Sequence, residues 1–140
     1  MGYNVDCVEI EENVAIEISN LLNKEILCCD FLNYTENKQY DLITMGDVIE
    51  HVNDTRDAVK KAYNLLKNNG VLWISTPNYE SSFNRIHKLT TGMWNEPWHI
   101  TYFSKKGLEN LLKQFNFEIL DYKVSSHYNG SMEIIARKNI

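Results

Sequence analysis

Residues that could carry chemistry are concentrated directly after one apolar run of the chain. Asp47, Glu50 and His51 follow positions 42–45, which read as a strand buried on both of its faces. Ligands of α/β sheets sit beyond the carboxyl ends of the strands, so we expect these side chains to face a site. Residues three apart share one face of a helical turn, which predicts that Asp47 and Glu50 converge with His51 beside them.

A second histidine, His99, is predicted to join this group. It lies in an aromatic segment that must cross the same strand ends to reach a helix that Ser104 can cap. Two carboxylates and two imidazoles form a divalent-metal site with open positions for substrate oxygens, and they favour magnesium, manganese or zinc over copper. The alternative interpretation has no metal: the acid caps a turn, and His51 or His99 packs near a cofactor or serves as a catalytic base.

A further acid, Glu9, ends an apolar run at positions 5–10. A carboxylate after such a strand can accept hydrogen bonds from both ribose hydroxyls of a nucleotide cofactor. The alternative interpretation is an ordinary strand-end acid that faces solvent.

The elements that must position these residues follow from the periodicity of the sequence. Strands are predicted at 5–10, 25–29, 41–45 and 71–76. Amphipathic helices separate them, one at 13–22 and one that begins at the Asp54 cap and stops at 68–70. This alternation predicts an α/β fold with parallel pairing and right-handed crossovers, in a single domain of residues 1–140.

The last third of the chain has a different pattern. Positions 78–103 contain aromatic and polar residues without a clean period, so we expect a functional lid or a segment with its own helix. Asn129 and Gly130 favour the positive φ of a tight turn. The runs at 117–126 and 132–138 should therefore form an antiparallel hairpin.

A parallel α/β sheet that ends in an antiparallel hairpin, together with the segment 40–52, resembles the S-adenosylmethionine (SAM) dependent methyltransferases of the Rossmann-like class. The resemblance runs from Tyr3 to Arg137 and begins at the second strand of that fold. The residues Asp47 to His51, with the distal His99, are similar to the E-x-x-E-H arrangement of small-RNA 2′-O-methyltransferases and ubiquinone-biosynthesis O-methyltransferases. Asp47 departs from that pattern, since it stands in the place of the first glutamate.

The resemblance implies a SAM site built from three strand ends. Glu9 would bind the ribose, with Ile10 under the adenine ring. Asp30 would face the adenine amino group, with Phe31 against the ring. Met45 and Gly46 would leave room for the methionyl part of SAM.

One part of the family pattern has no counterpart in this sequence. In the family, an acid and a G-x-G-x-G loop follow the first strand, but the six glycines here are scattered singly. That loop lets the backbone approach the cofactor and aims a helix N-terminus at it. We therefore expect that the sheet is completed by another segment of a longer product, by a partner or a second copy of the chain, or by closing over the gap.

The resemblance implies SAM-dependent methylation of a small-molecule or other acceptor, most naturally at oxygen, by a longer or complemented enzyme. The alternative is a catalytically inactive binding or scaffold module. A nicotinamide-dependent enzyme is disfavoured, because dehydrogenase-type domains lack the final hairpin.

Composition excludes several other classes of function. The chain has 140 residues and a formal charge of −5, which argues against non-specific binding to nucleic acid or to anionic membranes. Its three cysteines have no C-x-x-C spacing, so neither a disulfide framework nor a zinc site is expected. No stretch reaches membrane-spanning length and no signal peptide is recognisable, so a cytoplasmic protein is expected.

Overall fold

The computed structural model describes residues 2–35 and 37–140. The chain divides into two compact units, residues 1–37 and residues 38–140. Each unit has a small sheet of its own, with two strands in the first and four in the second. The expectation that residues 1–140 form a single domain stays a prediction.

The first unit consists of strand β1 (Val8–Glu9), helix α1 (Glu12–Leu22) and strand β2 (Leu27–Cys28). The two strands pair in parallel, as predicted. Each is only two residues long, which is shorter than the predicted runs at 5–10 and 25–29. A short 3-10 turn, Phe31–Asn33, follows β2.

The second unit is built on a four-stranded sheet in the order β3-β4-β6-β5. Its strands are β3 (Tyr40–Gly46), β4 (Leu66–Pro77), β5 (Phe117–Val124) and β6 (Ser131–Lys138). Strands β3 and β4 are parallel, whereas β6 runs antiparallel to both of its neighbours. The predicted α/β class and its terminal antiparallel hairpin are therefore confirmed.

Two helices begin where the sequence predicts a cap. Helix α2 (Thr55–Leu65) starts after Asp54, whose side chain accepts hydrogen bonds from two backbone N–H groups of the first turn. The Ser104 hydroxyl accepts the N–H of Gly107 at the start of the helix Lys105–Gln114.

Helix α2 ends earlier than predicted. Its last residue is Leu65, and β4 begins at once with Leu66, which pairs with Tyr40. Asn69 takes a left-handed φ of 62°, so the predicted stop at 68–70 is an irregular part of a strand. The pairing of Leu66 with β3 ends the helix before the chain reaches the Asn-Gly sequence that was expected to cap it.

The segment between β4 and the last helix contains two short helices, α3 (Ser82–His87) and α4 (Gly92–Asn95). This confirms that the irregular segment 78–103 carries helices of its own. The helix that Ser104 caps, Lys105–Gln114, is therefore α5.

The core of the second unit joins the helices to the central strands. Helix α2 packs on β4 and helix α5 packs on β5. The side chains with no solvent exposure include Val59, Ala62, Leu72, Ile74, Leu108, Leu112 and Ile134. This packing fixes the carboxyl ends of β3 and β4, from which the candidate site emerges.

Two other expectations concern the chain as a whole. None of the helices among the described residues is both long and apolar enough to cross a membrane. The three cysteines are free thiols, and Cys28 is exposed at the end of β2.

Candidate functional site

The turn after β3 is tied to the end of β4. Asp47 has a φ of 51°, in the left-handed region, and its N–H donates to the carbonyl of Ser75 at 2.9 Å. Ile49 is fully buried and anchors the turn, while the N–H of His51 donates to the carbonyl of Val48. The left-handed conformation of Asp47 changes the direction of the chain at that residue. Asp47 and Glu50 therefore do not share one face of a helical turn, contrary to the prediction.

Glu50 is a buried acid with one oxygen in use. Its side chain is 1% exposed, and its Oε2 accepts a hydrogen bond from the hydroxyl of Thr76 at 2.9 Å. The other oxygen, Oε1, is buried and has no hydrogen-bond partner among the described residues. Burial raises the pKa of Glu50, and the charge of Asp47 adds to this effect. An unpartnered buried carboxylate oxygen is costly, which makes Oε1 a candidate ligand atom.

The backbone of Glu50 also fixes the segment that carries His99. The carbonyl of Glu50 accepts the N–H groups of Ile100 at 2.9 Å and Thr101 at 3.1 Å. The aromatic segment therefore does cross the end of β3, as predicted.

Both histidines are oriented by backbone carbonyls. The Nδ1 of His51 lies 2.8 Å from the carbonyl oxygen of Trp98, and that of His99 lies 2.9 Å from the carbonyl oxygen of Met93. A carbonyl can only accept, so each Nδ1 carries the proton, and in the neutral ring each Nε2 keeps a free lone pair. Metal-binding histidines are held in this way by a partner on the other ring nitrogen.

Three of the four predicted ligands come together. One ligand atom each from Glu50, His51 and His99 lies within 4.8 Å of the others. Two ligands of one ion are at most ~4 Å apart when each bond is ~2 Å. The spacing of up to 4.8 Å exceeds that limit, so metal binding by these residues stays a prediction. Asp47 is outside this group, and the predicted cluster of four is corrected to three.

Asp47 is held by a residue that the sequence did not single out. The hydroxyl of Tyr128, in the connection between β5 and β6, donates to Asp47 Oδ1 at 2.7 Å. Burial, followed by this hydrogen bond, raises the pKa of Tyr128, so the phenol stays protonated and remains a donor. The only sequence signal near Tyr128 was the turn at Asn129 and Gly130.

A cavity of about 300 Å³ opens beside these residues. It is lined by Asp47, Glu50, Pro77, Gly92, Met93, Glu96, His99 and Tyr128. This lining contains three acids and no lysine or arginine, so the cavity attracts cations. Glu96, like Tyr128, was not singled out from the sequence.

The aromatic residues of the segment 78–103 pack mainly on one another. The rings of Trp94 and Tyr102 stack with their centroids 5.0 Å apart, and Tyr79 meets Trp94 edge to face. None of these three lines the cavity.

The residues predicted at the cofactor fall in both units. Glu9 Oε1 accepts the N–H of Glu11 at 2.9 Å, and Asp30 Oδ1 accepts the N–H of Leu32 at 2.8 Å. Ile10 follows β1, and Phe31 begins the 3-10 turn.

Met45 and Gly46 end β3 in the second unit. Met45 is buried, whereas a Cβ added to Gly46 would lie 3.4 Å from the Trp73 ring, an ordinary contact distance. The fold therefore does not itself require glycine there. Convergence of these residues with those of the first unit on one SAM molecule stays a prediction.

Known proteins resemble this chain over most of its length. A model of the family described as "Methyltransferase domain" matches residues 2–122. A crystal structure of a SAM-dependent methyltransferase from Thermotoga maritima, described as a possible histamine N-methyltransferase, superposes with a TM-score of 0.74 at 21% identity. That likeness covers 94% of this chain and 72% of the other, and it shows the shared fold.

Two curated relatives match shorter parts. A probable polyketide synthase 5 from Dictyostelium discoideum is 31% identical over 66% of the chain and 4% of its own length. A ubiquinone biosynthesis O-methyltransferase from Glaesserella parasuis is 37% identical over 42% of the chain and 26% of its own length. The chain thus spans about a quarter or less of each of these relatives.

Proposed function

The chain belongs to the methyltransferase domain family, and we propose that it serves in the transfer of the methyl group of SAM to an oxygen of a small-molecule acceptor. We propose further that a divalent ion bound by Glu50, His51 and His99 takes part. One observation carries the proposal: a buried carboxylate with an unpartnered oxygen and two imidazoles each bring one ligand atom within 4.8 Å of the others. SAM as the cofactor is supported by the family and by SAM-dependent enzymes of the same fold.

The donor set fits a divalent ion. Carboxylate and imidazole ligands suit magnesium, manganese or zinc, and three protein ligands leave positions open for acceptor oxygens. A bound ion would supply orientation of an acceptor hydroxyl pair and a lowered hydroxyl pKa. The partial match to a ubiquinone biosynthesis O-methyltransferase supports an oxygen acceptor.

The residues of the chain have three tasks in this reaction. The acidic cavity admits the acceptor, and Glu50, His51 and His99 hold its oxygen in one orientation. The acceptor hydroxyl loses its proton to solvent, and its oxygen forms a bond to the methyl carbon while the carbon–sulfur bond of SAM breaks, so the products are a methyl ether, S-adenosylhomocysteine and one proton. Such a reaction depends mainly on positioning. Without a bound ion, His99 lines the cavity with a free Nε2 lone pair and can take the hydroxyl proton directly.

The cofactor is proposed to lie across the strand ends. Glu9 would bind the ribose and Asp30 the adenine amino group, with Ile10 and Phe31 against the adenine. The backbone at Met45 and Gly46 would border the methionyl part. These assignments rest on the resemblance and on the position of each residue at a strand end.

The second candidate function is a binding or scaffold module without catalysis. It is favoured by one observation, the absence of a glycine-rich loop from the sequence. This candidate predicts no methyl transfer even when such a loop is supplied.

The test is isothermal titration calorimetry of the purified chain with manganese and with zinc, which measures the stoichiometry and the affinity of ion binding. We expect one ion per chain, with binding weakened at least tenfold in Glu50→Gln and in His99→Gln. His87→Gln is the matched control, because His87 is exposed at the end of α3 and its ring packs on Phe83, away from the three ligands. Equal binding in all variants would refute the proposed centre.

The acceptor is tested separately with an ortho-diphenol such as catechol. A fusion that supplies a family-type first strand and glycine-rich loop should methylate it, and the rate should depend on the added ion. A loaded fusion that binds SAM but methylates no oxygen acceptor would favour the scaffold alternative.

A further inference from the structure

Tyr128 and Asp47 form a contact between two distant parts of the chain. The Tyr128 hydroxyl lies 2.7 Å from Asp47 Oδ1, and both residues line the acidic cavity. Asp47 is the residue that the E-x-x-E-H resemblance offers as a metal ligand. In the structure its carboxylate instead accepts a hydrogen bond from a phenol.

Both partners are held by their own backbones. The N–H of Asp47 donates to Ser75 at the end of β4, and its left-handed φ of 51° restricts where its side chain can lie. The carbonyl of Tyr128 accepts the hydroxyl of Ser131 at 2.8 Å at the start of β6. The backbone bonds at the end of β4 and at the start of β6 therefore hold the two residues in place, and the contact between their side chains follows from those positions.

The consequence for the metal centre is a change in its donor atoms. With Asp47 as a ligand, the set would be two carboxylates and two imidazoles. With Asp47 held by Tyr128, it is one carboxylate and two imidazoles, from Glu50, His51 and His99. Oxygen-rich sets suit magnesium and manganese, whereas imidazole-rich sets suit cobalt, zinc and other later transition ions.

We propose that Tyr128 is a positioning residue that keeps Asp47 out of the coordination shell and thereby biases the centre toward later transition ions. This inference rests on the proposed metal centre, and it concerns which ion that centre prefers. Tyr128 is not itself proposed as a ligand of the ion. It acts through Asp47.

The test compares the affinities for Mn²⁺ and Co²⁺ by calorimetry in the wild-type chain, Tyr128→Phe, Asp47→Asn and the double variant. The readout is the ratio of the two affinities, because a change in local charge alters the binding of both ions alike and cancels in the ratio. Phenylalanine keeps the ring but removes the donor. We expect Tyr128→Phe to shift the ratio toward Mn²⁺ by about tenfold.

The other variants identify the cause of that shift. Asp47→Asn alone should leave the ratio unchanged, and the double variant should return to the wild-type ratio. An unchanged ratio in Tyr128→Phe, or a shift of the ratio toward Co²⁺ in Asp47→Asn alone, would overturn the inference while the metal centre stands. If the wild-type chain binds neither ion, the proposed centre fails and the inference fails with it.

Discussion

The imidazole rings of His51 and His99 lie with their centroids 4.8 Å apart and their planes tilted by 58°. One ring comes from the turn after β3 and the other from the segment before α5. Each Nδ1 faces a backbone carbonyl, of Trp98 and of Met93 respectively. The two Nε2 atoms are therefore available in the neutral state without any change of tautomer, which is the preorganisation that a metal site needs.

Glu50→Gln should stabilise the metal-free protein at neutral pH. Burial raises the pKa of Glu50 in the folded state above its value in the unfolded chain. As pH rises from the unfolded pKa to the folded pKa, the unfolded state loses its proton first, so the free energy of unfolding falls over that window. Glutamine has no such proton, and we expect a gain on the order of 1 kcal/mol above the window.

The measurement is urea unfolding with a chelator present, across a pH series that starts below the unfolded pKa of a glutamate. Glu80→Gln is the control, since Glu80 is exposed. The same loss of stability with rising pH in wild type and in Glu50→Gln would contradict this prediction.

Gly130→Ala should destabilise the second unit by about 1–2 kcal/mol. Gly130 has a φ of 88°, and an added Cβ would lie 3.2 Å from atoms of Phe83, Asn84 and Met93. Both the backbone and the contacts therefore oppose a side chain. In the control, Gly92→Ala, the added Cβ meets nothing within 4 Å, so no loss is expected. A lower unfolding temperature for Gly92→Ala than for Gly130→Ala would refute the prediction that position 130 requires glycine.

The 140-residue chain should bind SAM weakly or not at all. Its sequence lacks the glycine-rich loop whose backbone N–H groups contact the cofactor in the family, and each tenfold loss of affinity requires only about 1.4 kcal/mol. Calorimetry with the chain alone should therefore give little heat. A low-micromolar dissociation constant would show that the loop is dispensable.

Fusion of a family-type first strand and loop should restore SAM binding, and Glu9→Ala should then weaken it by roughly tenfold or more. The matched control is Glu17→Ala, an exposed acid on α1. Equal losses from the two changes would remove Glu9 from the ribose site.

The edge of β3 that faces away from β4 should associate with another strand at residues 42–46. Among the described residues β3 pairs only with β4, and Leu42 on this edge is 55% exposed. Unpaired edges with apolar side chains promote association. Leu42→Lys should lower the apparent mass in light scattering at high protein concentration. Ile86→Lys is the control, because Ile86 is an exposed apolar residue on helix α3 and not on a strand, and it should leave the mass unchanged. A wild-type chain that stays monomeric would contradict the prediction.

The sequence predicted those features of the fold that depend on local chemistry. Asp54 and Ser104 cap helices as expected, because a side-chain acceptor before an amphipathic run satisfies the first N–H groups wherever it occurs. The antiparallel pairing of β5 and β6 was predicted for a similar reason. The tight turn was predicted wrongly: the connection spans residues 125–130, and of Asn129 and Gly130 only Gly130 has a positive φ. The end of α2 was predicted too late, because the pairing of Leu66 with Tyr40 is a contact distant in sequence.

In the candidate site, too, the sequence predicted the residues placed by local chain geometry and missed the one placed by a distant contact. Glu50 and His51 are neighbours, and the path of the chain to α5 was enough to bring His99 to them. Asp47 was assigned wrongly to their helical face, because its left-handed φ and its bond to Tyr128 depend on a partner 81 residues away. No periodicity in the sequence reports such a contact.

The most direct test of this account is an anomalous difference map from crystals of the chain grown with Zn²⁺ or Mn²⁺, recorded at the absorption edge of the ion. We expect one strong peak within bonding distance of Glu50 Oε1 and of the Nε2 atoms of His51 and His99, with Asp47 still hydrogen-bonded to Tyr128. A map with no peak at these three atoms under saturating ion, or with the peak at other residues, would contradict it.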